Sequence, residues 1–528
     1  MRTAAQGFDV IVIGGGHAGT ETAVAAARRG ARVALLTTSL ETIGQLSCNP
    51  AIDGVAKGTV VREIDALGGI MARATDLASL QFRMLNPGKG PAVWAPRAQV
   101  DRGLHRSAIQ RLVRQQPKLA LVQGSAARLV LGADGEVSGV ETADLLRLSA
   151  RAVVICTGTF LRGRIHIGTA HSISGGRAGE PATVTLAEQF AEIGLETSRF
   201  KTGTPPRIDG RSVDFAHLDR QENEIEAFDF SWSASWTGPR RCGDSTRHPE
   251  QLPCWLTRAG PEVNQLVQER LHESATYGGS IGARGPRYCP SIENEVVRFA
   301  EAERHLLYLE PEGLDTNELY VNGPSISLPA DAQLEMLRAI PELESAIMTR
   351  PGNAIEYCFV PPTQLHSTLA TRALPELFLT GQINGTTGYD EVGAQGVLAG
   401  ANAAAHGLDV APLVLGRASS YLGVLVDDLF TRGVDEPPRL LASRSEFRLS
   451  MRQDNAVQRL SRWRPRWDCR PRRSSGSLTS ASMTRLRPIT SRARRRCTRP
   501  CLRKCSRRRE SAGSSTACRS ARSRCVRR

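Results

Sequence analysis

A short apolar strand followed by a glycine-rich turn constrains the fold of this chain more than any other feature. The strand reads DVIVIG, and the turn places Gly14, Gly16 and Gly19 in the spacing GxGxxG. The first glycine of such a turn permits a tight bend, the second lets the backbone approach a pyrophosphate, and the third lets helix and strand pack closely. The following helix offers unpaired N–H groups to phosphate oxygens. We therefore predict a Rossmann-like dinucleotide-binding unit rather than a glycine-rich turn without a ligand.

Further apolar strands extend this unit into a sheet. ARVALLT at 31–37, RAVVICTG at 151–158 and ELFLTG at 376–381 are short and largely β-branched or aliphatic. Such strands are typical of a doubly wound sheet that binds its ligand at the carboxyl ends of the strands. Residues 119–150 alternate apolar and polar and contain an Asp-Gly pair at 134–135. That pattern predicts an antiparallel insert.

The middle of the chain differs from both ends. Residues 201–354 are rich in Trp, Pro and Gly and lack a second glycine-rich fingerprint. We predict that they form an inserted α+β domain. Residues 1–200 and 355–455 then form one discontinuous α/β dinucleotide-binding domain.

The positive charge of the chain is confined to its end. The formal net charge is +15, yet residues 456–528 hold 24 Lys and Arg against two acids, so that residues 1–455 carry about −7. Arg, Ser, Cys and Pro dominate this tail, and it has too few apolar residues to offset its chain entropy. We therefore predict that 456–528 is disordered, and that the basic pI says little about the partners of the body.

Composition also limits the compartment and the metal content. The six cysteines of the body form no CxxC pair, which indicates neither a disulfide framework nor a metal site. No run of residues approaches the ~18 apolar residues of a membrane span, and the N-terminus lacks a basic signal-peptide region. The sequence predicts a cytoplasmic protein without a membrane segment.

Two cysteines stand in loops. Cys48 lies in GQLSCNPAIDG and Cys289 in GPRYCPSIE, each next to a helix start, where a thiol can serve as a nucleophile. The alternative is that each is a small buried apolar residue, which is the interpretation we favour for Cys156 inside its strand. The acid that usually binds the adenosine ribose is missing, because Thr37 and Thr38 end the second strand and Glu41 comes late. The ribose contact therefore stays open.

Several long motifs, taken together and in order, resemble one family. They are IGGGHAGTE, GQLSCNPAIDG, KGPAVWAPRAQVDR, SGGRAGEP, KTGTPPRID, GPRYCPSIE, GQINGTTGYDE and YLGVLVDDL. This series is similar to the FAD-binding subunit of the tRNA uridine 5-carboxymethylaminomethyl modification enzyme, the MnmG/GidA family. The resemblance spans roughly residues 8–455. It implies that the discontinuous domain binds FAD and that the inserted domain has a role in binding NADH and substrate.

The resemblance also implies roles for individual residues. FAD is expected at Gly14, Gly15, Gly16, His17, Ala18, Gly19, Thr183 and Gln382. NADH is expected at Gly285, Pro286, Arg287, Tyr288, Cys289, Pro290 and Ser291, within a segment that reaches Phe299. Cys48 and Cys289 match the two functional cysteines of the family, and we predict that one adds to C6 of uracil while the other assists.

The implied reaction is the modification of C5 of the wobble uridine, position 34 of tRNA. FAD, NADH, an amine and 5,10-methylenetetrahydrofolate as one-carbon donor take part, with a GTPase subunit (MnmE) as partner in a heterotetramer built on a homodimer. Three alternatives remain: a folate- and FAD-dependent tRNA uridine-54 methyltransferase, a plain NADH-dependent flavin oxidoreductase, and an inactive flavin-binding remnant. The tail departs from the family, which continues into a helical domain, and its composition is typical of an out-of-frame reading.

Overall fold

The structure is a computed structural model, and it describes residues 6–224, 228–232, 248–286, 291–299 and 301–466. The described residues form twenty strands and eleven α-helices. The strands in chain order are β1 (Gln6–Ile13), β2 (Val33–Thr37), β3 (Ala51–Ile52), β4 (Ser79–Leu85), β5 (Ala95–Val100), β6 (Leu119–Gln123), β7 (Ala126–Leu131), β8 (Val137–Thr142), β9 (Arg147–Ile155), β10 (Arg164–Ile167), β11 (His171–Ser174), β12 (Ser198–Thr204), β13 (Arg207–Asp209), β14 (Asp219–Gln221), β15 (Cys254–Ala259), β16 (His305–Pro311), β17 (Glu318–Asn322), β18 (Met348–Arg350), β19 (Asn353–Phe359) and β20 (Leu377–Leu379).

The α-helices of the described residues are fewer than the strands. In chain order they are α1 (His17–Arg28), α2 (Lys57–Ala66), α3 (Met71–Ala78), α4 (Arg102–Arg114), α5 (Thr185–Glu192), α6 (Pro261–Glu269), α7 (Ile292–Arg298), α8 (Ala330–Arg338), α9 (Tyr389–Gly407), α10 (Tyr421–Arg432) and α11 (Ala456–Leu460).

The central sheet has the strand order β6-β2-β1-β9-β8-β7, with β20 also paired to β9. β1 runs parallel to β2 on one side and to β9 on the other. The chain therefore leaves β1 toward one edge first and returns to its other side later, which makes the carboxyl end of β1 a topological switch point. The predicted Rossmann-like α/β fold is confirmed.

The antiparallel insert is only partly as predicted. β7, β8 and β9 form an antiparallel ladder, and the turn between β7 and β8 contains Gly135 at φ +83°. β6, however, pairs parallel to β2 and extends the central sheet. Alternating polarity marks a half-exposed strand but not the direction of its neighbour, so the parallel edge strand β6 resembled part of the insert.

α1 and α9 are in close contact. This contact brings together the glycine-rich turn before α1 and a second one, GQINGTTG at 381–388, before α9. A Cβ on Gly396 would lie 2.4 Å from the carbonyl oxygen of Ala18, and one on Gly400 would lie 2.1 Å from that of Thr22. These distances allow no side chain. The small residues of α9 therefore let its backbone approach α1, and the turns that precede both helices lie on one side of the sheet.

A second apolar core lies within the middle segment. It comprises residues from Ile208 to Ala346, beneath a six-stranded sheet of order β14-β15-β16-β17-β13-β18. The predicted borders at 201 and 354 fall inside β12 and β19, which pair antiparallel with Lys201 opposite Glu356. A continuous ladder thus connects the two cores, and the division at 201–354 stays a prediction about folding units.

The start of the tail corrects one expectation. Disorder was predicted from residue 456 onward, but Ala456 and Leu460 are buried in α11. Nη1 of Arg459 donates to Oε1 of Glu63 at 2.8 Å. The average composition of residues 456–528 did not reveal these few residues, whose apolar and charged side chains contact the rest of the chain. The rest of the predicted disordered segment, 467–528, lies outside the described residues.

The part of the chain that the structure describes contains neither a membrane-spanning helix nor a metal-binding cluster. Among these residues, no helix combines the length and the apolar character needed to cross a membrane. Nor do the described residues contain a group of three or more His, Cys, Asp or Glu side chains placed to hold a metal ion.

Candidate functional site

The glycine-rich turn after β1 is packed so tightly that two of its glycines admit no side chain. Gly14 has φ +106°, and a Cβ there would lie 2.4 Å from the carbonyl oxygen of Cys156. A Cβ on Gly19 would lie 1.7 Å from the carbonyl oxygen of Gly14. These glycines therefore hold β1, α1 and the end of β9 together.

Gly16 differs from these two, because a Cβ there would meet no protein atom within 4 Å. It lies at the N-terminus of α1 and lines a cavity of about 180 Å³. Backbone N–H groups at a helix start, next to open space, form an anion site. The residues present therefore fit the pyrophosphate of a dinucleotide.

The same cavity collects most of the residues expected to bind FAD. Its lining includes Gly14, Gly15, Gly16, His17, Ala18, Thr183 and Gln382. Gly19 is buried in the packing between strand and helix instead. The cavity thus gathers residues that lie more than 350 positions apart in the chain.

His17 is neutral at the start of α1. Burial is the larger cause that lowers the pKa of His17 to about 3, and His105 acts in the same direction. Its ring lies 4.6 Å from the ring of Tyr389, and neither ring nitrogen has a hydrogen-bond partner among the described residues. A buried imidazole without a partner beside the open turn is a candidate ligand contact.

The far end of this cavity lies beside β2, where the ribose-binding acid is missing. Thr37, Thr38 and Thr42 line it, together with Ser125. Hydroxyl groups therefore lie where the usual ribose-binding carboxylate would be expected. Glu41, which the sequence offered as a late substitute, does not line the cavity.

A larger cavity of about 980 Å³ adjoins the first. Eight residues line both, namely Gln45, Ser47, Thr159, Arg177, Glu180, Gln382, Tyr389 and Val392. Cys48 lines only the larger one. A group bound at the glycine-rich turn and a substrate near Cys48 would therefore meet across this shared wall.

Main-chain and side-chain contacts hold Cys48 in place. Its backbone N–H donates to the phenolic oxygen of Tyr389 at 2.7 Å, and its carbonyl oxygen accepts from Nη2 of Arg207 at 2.7 Å. The thiol donates to the carbonyl oxygen of Gly203 at 3.7 Å and lies 3.5 Å from the phenolic oxygen of Tyr320. Burial, reinforced by Cys48, raises the pKa of Tyr320 well above its ordinary value, so this phenol stays protonated.

Arg207 links Cys48 to the second core. Its Nε donates to Oε1 of Glu312 at 3.0 Å, and its guanidinium lies 4.9 Å from the centre of the Tyr320 ring. Nη1 of Arg102 also donates to Glu312. The cationic partners lower the pKa of Glu312 against the effect of burial. A buried, paired network of this kind holds the loop of Cys48 rigidly.

Sequence reasoning missed a charge cluster in the wall of the larger cavity. Lys57, at the start of α2, has Nζ 3.3 Å from Oε2 of Glu391 and 4.0 Å from Oδ2 of Asp390. Both acids lie in the first turn of α9. The sequence did contain a signal for this cluster. It is the Asp-Glu pair that ends GQINGTTGYDE, at the start of a helix. Two adjacent acids that become buried are rare unless they are paired.

The segment expected to bind NADH is partly described. Pro286 lines the same large cavity as Cys48. Gly285 packs against the side chain of Lys201, because a Cβ at position 285 would lie 2.7 Å from Cε of Lys201. Ser291 forms a parallel bridge with Ser325. Arg287, Tyr288, Cys289 and Pro290 lie outside the described residues, so the structure does not bear on the second functional cysteine.

Fold and site together define a class of protein. The chain is an α/β protein with a Rossmann-like dinucleotide-binding domain, and its glycine-rich turn opens on a cavity that adjoins a larger one lined by a loop thiol.

The comparisons with known proteins narrow this class to a family. The family model for glucose inhibited division protein A matches residues 9–410. Two structures of GidA from Aquifex aeolicus are similar to this chain. The form II crystal has 45% identity and a TM-score of 0.82, covering 89% of this chain and 74% of that one. The form I crystal has 46% identity and a TM-score of 0.83, covering 88% and 77%.

The chain therefore belongs to the GidA family. Membership implies an enzyme that modifies the wobble uridine of tRNA, and the family suggests that this enzyme depends on a flavin.

Proposed function

We propose that this chain is an FAD- and NADH-dependent, folate-using enzyme that modifies C5 of uridine 34 in tRNA. It attaches an aminomethyl or carboxymethylaminomethyl group and works with a GTPase subunit, as a homodimer within a heterotetramer. The observation that carries the proposal is the position of the Cys48 thiol. It lines a cavity that shares eight wall residues with the cavity at the glycine-rich turn.

The residues of the smaller cavity suit FAD. The N–H groups at the start of α1 and the open face of Gly16 would hold the pyrophosphate. Thr183 and Gln382 would contact the flavin end, because Gln382 also lines the larger cavity. When bound, FAD supplies redox chemistry next to the substrate, and NADH supplies electrons to it. Pro286 reaches the larger cavity, which is consistent with nicotinamide binding nearby.

Cysteine chemistry explains why a thiol belongs in this cavity. C5 of uracil is a poor nucleophile until a group adds at C6. A thiolate from Cys48 or Cys289 forms the C6–S bond, and the electron pair of the C5–C6 double bond moves toward O4. C5 then forms a bond to the one-carbon unit of methylenetetrahydrofolate. Loss of the C5 proton then expels tetrahydrofolate and leaves an exocyclic methylene at C5. The amine adds to this methylene and loses a proton, and the electron pair that returns from O4 restores the C5–C6 double bond and expels the thiolate from C6.

The test is complementation of a bacterial strain that lacks its own family member. Expression of this chain should restore 5-carboxymethylaminomethyl-type uridine, measured by mass spectrometry of tRNA nucleosides. Cys48→Ser should abolish that product. The control is Cys358→Ser, because Cys358 is a buried cysteine that lines neither cavity, whereas Cys48 is half-buried and lines the larger one. Flavin absorbance of the purified variants checks that both fold.

The alternatives give different results in the same strain. A uridine-54 methyltransferase would produce 5-methyluridine, and a plain flavin oxidoreductase would oxidise NADH without changing tRNA. Flavin binding without either activity would indicate a remnant. Any of these outcomes contradicts the proposal.

A further inference from the structure

The charge cluster in the wall of the large cavity holds more carboxylates than cations. With Lys57, Asp390 and Glu391 all ionised, it carries a net charge of −1. Asp390 is 2% exposed and Glu391 is fully buried, so water screens this charge little. The cluster is therefore short of one positive charge or one proton.

Polar atoms at this wall are also left without partners. Among the described residues, no hydrogen bond reaches Oδ1 of Asp390 or Oγ1 of Thr387, while the carboxylate of Glu391 has its ion pair with Lys57. Asp390 and Thr387 line the cavity. Because buried polar atoms are nearly always hydrogen-bonded, these two side chains point to a ligand with N–H donors.

The backbone is shaped to make room for the cluster. Gly388 has φ +101°, and a Cβ there would lie 2.1 Å from Oε2 of Glu391 and 3.0 Å from Nζ of Lys57. Any larger residue would strain the turn and displace the charges. The site is thus formed by the turn itself.

Among the described residues, the ion pairs of Asp390 and Glu391 are those with Lys57, although Arg439 also lines the cavity. Asp53 lines the cavity, but its charge is compensated by Nε of Arg97 at 3.1 Å. Burial is the largest cause that raises the pKa of Asp390 well above its ordinary value; Lys57 opposes it, while Glu391 and Asp53 reinforce it. Burial therefore favours a cluster that is made neutral, either by a proton or by a bound cation.

We propose that Asp390 and Thr387 receive the amine co-substrate as its ammonium form, and that Oδ1 of Asp390 takes a proton from it. Lys57 and Glu391 position Asp390. The N–H bond breaks, its electron pair stays on nitrogen as a lone pair, and the proton moves to Oδ1. The neutral amine can then attack the one-carbon unit, and the proton later leaves to water in the cavity. This inference rests on the proposed function, whose reaction consumes an amine.

The first test is Asp390→Asn, which keeps the shape and removes the base. In an assay with purified protein and its GTPase partner, the half-saturating ammonium concentration should rise at least about tenfold. The half-saturating concentrations of NADH and of methylenetetrahydrofolate should not change. The rate of the variant should also rise with pH, because the fraction of free amine rises.

The second test supplies an amine that needs no base. Methoxyamine is largely unprotonated at neutral pH, so it should restore product formation by the Asp390→Asn variant to near the wild-type rate. The control is Thr349→Val. Thr349 lines the same cavity, but its hydroxyl donates to Oε1 of Glu318 rather than to the cluster, so the half-saturating ammonium concentration should not change.

The outcomes separate the two proposals. The inference is overturned if the wild type forms product and Asp390→Asn changes ammonium use by less than about twofold. It is equally overturned if the change falls on the folate instead, or if methoxyamine does not rescue a variant that retains flavin. A wild type that forms no modified uridine with either amine overturns the proposed function, and the inference with it.

Discussion

The backbone N–H of Cys48 donates a hydrogen bond to the phenolic oxygen of Tyr389, with 2.7 Å between nitrogen and oxygen. Burial raises the pKa of Tyr389, so the phenol remains neutral. The bond joins the thiol loop to the first turn of α9, next to Asp390. It therefore connects the two parts of the site that the sequence separates by 341 residues.

We expect Tyr389→Phe to release the loop of Cys48. An N–H group that loses its partner costs about 1–3 kcal/mol, so the loop should leave its observed position. Alkylation of Cys48 by iodoacetamide, followed by peptide mass spectrometry, should become faster, and tRNA modification should fall about tenfold. Tyr421→Phe is the control, because Tyr421 is a buried tyrosine on α10 that lines neither cavity. Equal alkylation rates in the two variants would contradict the prediction.

Replacement of single glycines should separate binding from folding. Gly16→Ala places a methyl group in the cavity without touching protein, so its free energy of unfolding should change by no more than about 0.5 kcal/mol while flavin binding falls. Gly19→Ala places one 1.7 Å from the carbonyl oxygen of Gly14, so soluble protein should be lost. Flavin absorbance and urea unfolding measure the two effects. Full flavin content in Gly16→Ala would show that the pyrophosphate does not lie there.

The interaction between Arg459 and Glu63 should govern where the chain can be shortened. Glu63 is fully buried and caps α10 by accepting from the N–H groups of Tyr421 and Leu422 at 3.0 Å each. Removal of one partner from a buried ion pair costs about 3–5 kcal/mol, and the two N–H groups reduce that cost here. Arg459→Met should therefore lower the free energy of unfolding by about 2–3 kcal/mol.

Two truncated chains test the same interaction. A chain that ends at residue 466 should unfold at the urea concentration of the full chain, whereas one that ends at 455 should unfold earlier. If both truncated chains unfold alike, α11 does not stabilise the body.

The buried carboxyl of Glu21 should make stability depend on pH. Burial raises the pKa of Glu21 to about 7, although the N–H groups of Ile70 and Met71 oppose the shift. The folded state then binds the proton more tightly than the unfolded state, whose pKa is near 4.5. Glu21 contributes its full stabilisation below pH 4.5. This contribution falls by about 3 kcal/mol in total as the pH rises toward 7, and it is constant above that.

Glu21→Gln removes this titration and keeps an acceptor for the two N–H groups. Between pH 5 and pH 8, the wild type should lose about 2–3 kcal/mol more than the variant in urea unfolding. Parallel curves for the two proteins would mean that Glu21 is ionised in the folded state.

Local signals in the sequence predicted the parts of the site that depend on local geometry. The GxGxxG spacing located the turn at Gly14, and six of the eight residues expected to bind FAD lie in one segment, residues 14–19. Local spacing alone did not reveal Thr183 and Gln382, which came from family resemblance. The structure places them in the same cavity because β20 pairs with β9 beside β1.

Contacts between residues that lie far apart in the chain could not be predicted from the sequence. Nothing in the local pattern of Lys57 indicates that it faces Asp390, since the contact depends on how α2 meets α9. The tail shows the same limit at smaller scale. Its average composition predicted disorder from 456, but Arg459 has a buried partner at Glu63, and that partner is known only from the packing of α11 on α2.

The sequence by itself determined the α/β class, the glycine-rich turn and the family, because these depend on spacing and on the order of motifs. Only the tertiary structure decided which side chains share the cavity with Cys48, and that two acids there have a single cation between them. The physical reason is that burial and charge balance are properties of neighbours in space. They arise when strands and helices far apart in the chain pack together and exclude water.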